Sequence, residues 1–159
     1  MFIKNDLLEE GPLNAAEHVH SVDSAYALAS VATLVRQHFP AASPNLNPWR
    51  DDPETRKWFE NETIDLAFHF PGWSPRLECR SLLMQLTVSS YQSGASPHLM
   101  GVLIRGMTFA GERWRFATVG DWQPTGAYLP QPAQMEHLHE ICRDIFVLFP
   151  SYFASSEVE

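Results

Sequence analysis

Two cysteines and two lysines are all that the 159 residues hold of those types. Cys79 and Cys142 lie far apart and make no CxxC pair, which excludes a structural zinc site of the finger type. Lys4 and Lys57 leave few candidates for a Schiff-base lysine. No apolar run exceeds five residues, as in Ile145–Phe149, against the roughly 20 that a membrane helix needs. Neither the GxxxxGKS/T phosphate loop nor the GxGxxG dinucleotide loop is present. The GxSxG elbow of serine hydrolases is missing too: Gly72-Trp73-Ser74 and Gly94-Ala95-Ser96 do not continue with the needed glycine. Bases are scarce, 11 against 19 acids, for a formal charge of −8. A surface that tracks a phosphate backbone is normally basic, so nucleic-acid binding is disfavoured.

What is present is globular. Apolar residues make up 45% and charged residues 19% of an 18.0 kDa chain, which fits one domain over 1–159. Residues 1–20 read as an irregular leading segment and 150–159 as a tail with two aromatics, Tyr152 and Phe153, followed by acids. The first residues, MFIKNDLLEE, carry acids where a secretory leader carries an apolar stretch, and the expected location is the cytoplasm, with both thiols reduced. The charge is uneven. Residues 66–130 hold three acids and five bases, whereas both flanks are acidic.

Hydrophobic periodicity orders the elements. Leu28, Val31, Ala32, Val35 and Phe39 fall on one helical face within Ser24–Phe39, and Pro40 ends that helix. Asp52-Pro53-Glu54 has the form of a second helix start, running to about Asn61. Ile64, Leu66, Phe68 and Phe70 then alternate with polar or small residues, which predicts a strand. Pro71–Pro75 reads as a turn and Leu77–Tyr91 as a long, mostly buried strand. His98–Phe109 and Glu112–Trp122 form the clearest hairpin, closed near Ala110-Gly111. A final helix from about Ala133 to Phe149 carries Leu138, Cys142, Ile145 and Phe149 on one stripe and stops at Pro150. The expected fold is α+β: an antiparallel four-stranded meander with helices on at least one face, in the order α-α-β-β-β-β-α. Several accessory and ligand-binding folds share this element string, the secretion-chaperone type among them, which is analogy of fold alone.

Seven histidines make metal or haem binding worth testing on spacing. His137 and His139 are two apart on a helix, so they point away from each other and share no ion. Glu136, His139 and Glu140 occupy one face and read as a solvated polar surface. His18 and His20 chelate only if their segment is extended. Cys142 lies on a core stripe, where a thiol is inert packing, and Cys79 sits between Glu78 and Arg80, which point to the opposite face of a strand. No pattern demands a metal or cofactor.

The basic middle third concentrates Arg76, Arg80, Arg105, Arg113 and Arg115 on strands. Arg113 and Arg115 are expected on one face, with Trp114 and Phe116 on the other; whether Arg105 joins them depends on hairpin register. Trp49, Trp73 and Trp122 lie in or beside loops, where tryptophan marks an interface or folds back as a lid. These residues give the leading expectation: a small acidic cytoplasmic accessory or assembly protein, chaperone- or adaptor-like, possessing no catalysis. It would hold another protein through Arg105, Arg113, Arg115, Trp49, Trp73 and Trp122. A homodimer that covers an open sheet edge is compatible with that role. The alternative is a small-ligand, metal or haem protein, or a small enzyme, with a pocket between sheet and helices and His69, His98 or His139 as candidates.

Overall fold

The structure is a computed structural model, and it describes residues 13–18, 22–48, 63–88 and 99–149. The helix expected over 52–61, Trp49, His20, His98 and the tail aromatics lie outside the described residues. Strand β1 (Leu13–Asn14) and a 3-10 turn lead into helix α1 (Val22–His38). Strand β2 (Ser43–Asn45) follows. Four long strands come next: β3 (Thr63–Ser74), β4 (Cys79–Val88), β5 (Leu99–Thr108) and β6 (Gly111–Ala117). Strand β7 (Pro124–Gly126) and helix α2 (Pro132–Leu148) complete the order.

The expected antiparallel meander is there, as β3 to β6, but it is the middle of a larger sheet. The path runs β1-β3-β4-β5-β6-β7, six strands in place of four, with β2 beside β3 off the path. β1 pairs in parallel with the start of β3, and β2 pairs antiparallel further along the same edge. The element order is corrected accordingly: short strands flank α1 on both sides. Such two- and three-residue strands carry too little periodicity to be read from sequence. They also blunt the sheet edges, since β2 and β7 are three residues long and each contains a proline. The motive for an edge-covering second copy weakens with that.

One sheet face carries Ile64, Leu66 and Phe68 of β3, Leu82, Met84 and Leu86 of β4, Val102 and Ile104 of β5, and Trp114 and Phe116 of β6. These form one buried cluster with Leu28, Val31 and Val35 of α1 and Leu138, Ile141, Cys142 and Ile145 of α2. Each fully buried side chain of this kind contributes about 1.5–3 kcal/mol by leaving water. The opposite face is not the half-exposed polar surface that the arginine spacing suggests. Its centre is buried, with Asp65 and Gln85 at 0% exposure and Arg105 at 2%.

Two glycines make this packing possible. Gly106 lies directly across from Trp114 in the β5–β6 register, and a Cβ at that position would overlap the indole ring atoms. Gly126 has φ +143°, and a Cβ there would meet the Arg113 carbonyl and the Trp114 backbone, so β7 reaches β6 only as glycine. Gly106→Ala is therefore expected to destabilise the fold by about 1–3 kcal/mol or more through overpacking. Thermal unfolding measures it, and a melting temperature equal to that of the parent chain would refute the role given to Gly106.

Candidate functional site

Proline punctuation places the candidate site. Pro40 stops α1 just after His38 and Phe39, and Pro132 opens α2 at its first position. Between these helix ends, β3 loses its regular register after His69 and runs through Pro71 to Ser74, where it pairs with Cys79. A turn at residues 75–78 carries Glu78 in the left-handed region, φ 56°. The helix ends, the irregular stretch of β3 and the turn enclose a cleft of about 460 Å³. Phe39, Phe70 and Trp73 supply apolar wall, and Arg76, Gln134 and His137 supply polar groups.

Two imidazoles meet in that wall. His38 ends α1 and His137 lies in the second turn of α2; their Nδ1 atoms are 2.8 Å apart. At that distance one nitrogen carries a proton and donates it to the other. The rings sit edge to face with centroids 5.0 Å apart, and Phe39 packs edge-on against His137 at 5.7 Å. Glu140, one helical turn beyond His137, brings Oε1 to 3.8 Å from His38 Nδ1. The donor atoms of His38, His137 and Glu140 all lie within 4.8 Å of one another. Sequence reasoning misses this group. It sets Glu136, His139 and Glu140 on one face, although His137 and Glu140 share the i,i+3 relation just as well. No local signal points to His38, which comes from a helix 99 residues earlier.

The arginines divide between two places. Arg105 and Arg115 are directly opposed in the β5–β6 register and both face Glu112, with Arg105 Nε at 3.4 Å and Arg115 bidentate at 2.9 and 3.0 Å. Burial and the neighbouring Arg115 hold the Arg105 guanidinium below its usual pKa, against the pull of Glu112. Arg113 does not join them. The register shift sets Met107 across from Glu112 and Gly106 across from Trp114, leaving Arg113 as the extra residue of a bulge. It donates to Glu78 Oε1 at 3.0 Å, and its guanidinium lies over the rings of Trp73 and Tyr128, at 4.9 and 3.9 Å from their centroids. Each of the three arginines thus meets a carboxylate of its own chain.

Trp73 is 42% exposed and Tyr128 is 55% exposed, so this sandwich faces solvent beside the cleft. Trp122 behaves differently. It is half-buried, stacks on His139 at 5.7 Å and packs near Phe116 and Phe146, which makes it a lid on the core. His139 is engaged there, 5.0 Å from the Phe116 ring, and His69 is exposed on β3. Among the described residues no helix is long and apolar enough to cross a membrane.

Both cysteines are free and buried. Burial pushes each thiol up to about 12 from an ordinary 9.0. A thiol that binds its proton more tightly when folded stabilises the fold below about pH 9, and that contribution is lost as pH rises from about 9 towards 12. At pH 8 a thiol reagent is therefore expected to modify Cys79 and Cys142 only at the rate of global unfolding, and both at once in denaturant. Rapid labelling of the folded protein would contradict the burial.

A search of curated proteins and a search of solved structures each returned no match. Residues 16–151 match the model of a domain of unknown function. With most of its length inside that match, the chain belongs to this family of unknown function.

Proposed function

We propose that the protein binds a small organic ligand in the cleft between the helix ends and the β3–β4 turn. The observation that carries this reading is the make-up of the wall: Phe39, Phe70 and Trp73 beside a few converging polar groups, Gln134, Arg76 and the two imidazoles. Ligand sites are concave and mostly apolar, of about 300–1,000 Å³, with a small number of polar groups that fix orientation. The cleft volume falls in that range. A ring-bearing molecule with a polar or anionic group suits such a wall, the ring against Trp73 and the polar group towards Arg76. The role is binding, without a catalytic step.

A second reading keeps the accessory or assembly role in the cytoplasm, chaperone- or adaptor-like, with a protein as partner. The exposed Trp73–Arg113–Tyr128 sandwich favours it, because aromatic residues and arginine dominate the energetics of protein interfaces. It would use that ledge rather than the arginines of the sheet face, and it needs no second copy of the chain.

Native mass spectrometry of the protein taken gently from its own host separates the two. The expected result is a small-molecule mass increment, and Trp73→Ala is expected to weaken that ligand's affinity roughly tenfold, about 1.4 kcal/mol of binding. A polypeptide increment would favour the adaptor reading. Bare protein, together with no thermal-shift response to a small-molecule library, would overturn the cleft reading.

A further inference from the structure

We propose that His38, His137 and Glu140 form a binding site for a borderline-soft divalent ion of the zinc class. The donor set carries the chemistry. Two imidazoles and one carboxylate suit zinc, cobalt or nickel, whereas calcium and magnesium favour all-oxygen shells. Three protein ligands with a fourth position left to water or ligand is the pattern of an accessible zinc site.

The spacing carries the geometry. Zinc bonds of about 2.0–2.1 Å in a tetrahedron place neighbouring donor atoms about 3.3 Å apart. The separations from His38 Nδ1 are 2.8 Å to His137 Nδ1 and 3.8 Å to Glu140 Oε1, and no pair in the group exceeds 4.8 Å. These values bracket the tetrahedral edge. A shift of about half an ångström between the two imidazoles would bring them to the tetrahedral edge, with an ion in place of their shared proton. Both histidines are only half-buried and Glu140 is exposed, so an ion reaches the site from solvent without opening the core.

The position in the fold gives the ion a structural effect. His38 belongs to α1, whereas His137 and Glu140 belong to α2. A bound ion would tie the C-terminal end of α1 to the second turn of α2, the two elements that form one wall of the cleft. Occupancy is therefore expected to raise the melting temperature in proportion to the logarithm of free metal once the site is saturated. Because both imidazoles line the cleft, the ion's fourth position opens towards it. That last feature deepens the small-ligand reading and rests on it; the metal site itself does not.

The experiment uses the full chain, stripped with a chelator and free of any organic ligand. It is titrated with zinc by calorimetry and with cobalt by visible absorption, and its melting temperature is followed in parallel. The expected result is saturable one-to-one binding, a cobalt absorption band and a raised melting temperature. Loss of an outer-shell partner typically weakens a metal site by about 10–100-fold, so His38→Ala and His137→Ala, which remove ligands, are each expected to weaken zinc binding by roughly 100-fold or more. Glu140→Gln keeps size and exposure, and leaves the fold intact while weakening the site in the same direction. His69→Ala, an exposed histidine away from the group, leaves affinity unchanged. The proposal is overturned if the parent chain binds no zinc saturably, or if the three ligand variants bind it as the parent does. It is also overturned if His69→Ala weakens binding as much as they do, which would mean scattered surface histidines. Zinc binding with neither a small-molecule increment from the host nor a thermal-shift response to the library would sustain the metal site and sink the cleft reading, and a small-molecule increment without zinc binding would do the reverse.

Discussion

The Trp114 indole lies over Gly106, and its Nε1–H donates to the Leu77 carbonyl at 2.6 Å with no exposure to solvent. That one side chain joins three parts of the molecule. It fills the space that Gly106 leaves in β5, it belongs to β6, and it grips the turn between β3 and β4. A buried indole N–H that lost this acceptor would cost about 1–3 kcal/mol, so the turn is held where the indole requires it. The next residue back, Arg113, fixes the same turn through Glu78, and Gln131 donates its backbone N–H to the Arg76 carbonyl at 3.1 Å just before α2 begins. Three consecutive turn residues, Arg76, Leu77 and Glu78, thus bind two separate elements, Leu77 and Glu78 to β6 and Arg76 to the residue that leads into α2. The wall of the cleft inherits its position from those bonds.

The reverse face of the sheet obeys a different constraint. Asp65 and Gln85 are opposed in register and joined by a hydrogen bond of 3.2 Å, both wholly buried. Arg105 is buried nearby in the next strand pair and faces Glu112. Buried polar groups of this kind contribute little net stability, because desolvation offsets most of the attraction. They do penalise a wrong register heavily. A one-residue slip of β4 against β3 would carry Gln85 to the apolar face and leave Asp65 without that donor. The exposed Arg115 closes the same group from outside by chelating Glu112, so the two opposed guanidiniums share one carboxylate of the chain. This is why a basic strand face read from spacing does not emerge as a free cationic platform.

Much of the frame was legible, and the reasons are physical. Both helices announce themselves by an apolar stripe and a proline stop, and the structure places them at Val22–His38 and Pro132–Leu148, within two residues of the expected bounds. The alternation in β3 and β6 marks the core face correctly, including Trp114 and Phe116. The long run through β4 reads as mostly buried, and it is: Leu82, Met84 and Leu86 are buried on the core face and Leu83 and Gln85 on the reverse face. Legibility fails where a feature depends on pairing. The bulge that turns Arg113 away from Arg115 is set by one extra residue between partners, and no local pattern encodes it. The short strands β1, β2 and β7 exist only as additions to β3 and β6. Trp122 reads the same in sequence whether it is exposed or folded against Phe116 and Phe146, and only the packing decides.

The cleft shows the same limit most clearly, since its two imidazoles come from opposite ends of the chain. What brings them together is the shared demand of α1 and α2 to bury their stripes on one sheet face. Val35 on α1, Phe39 just past its end, and Leu138 and Ile141 on α2 settle into one core, and that fixes the helices side by side. His38 and His137 then have little freedom to avoid each other, because each lies one residue from a core position, beside Phe39 and Leu138. Two side chains that both donate and accept protons thus meet at 2.8 Å where apolar packing brings the helices together. A purely structural contact at that place would be served as well by two apolar residues, which need no shared proton. The polar pair instead sits half-exposed with a carboxylate beside it and an aromatic-walled cleft in front of it.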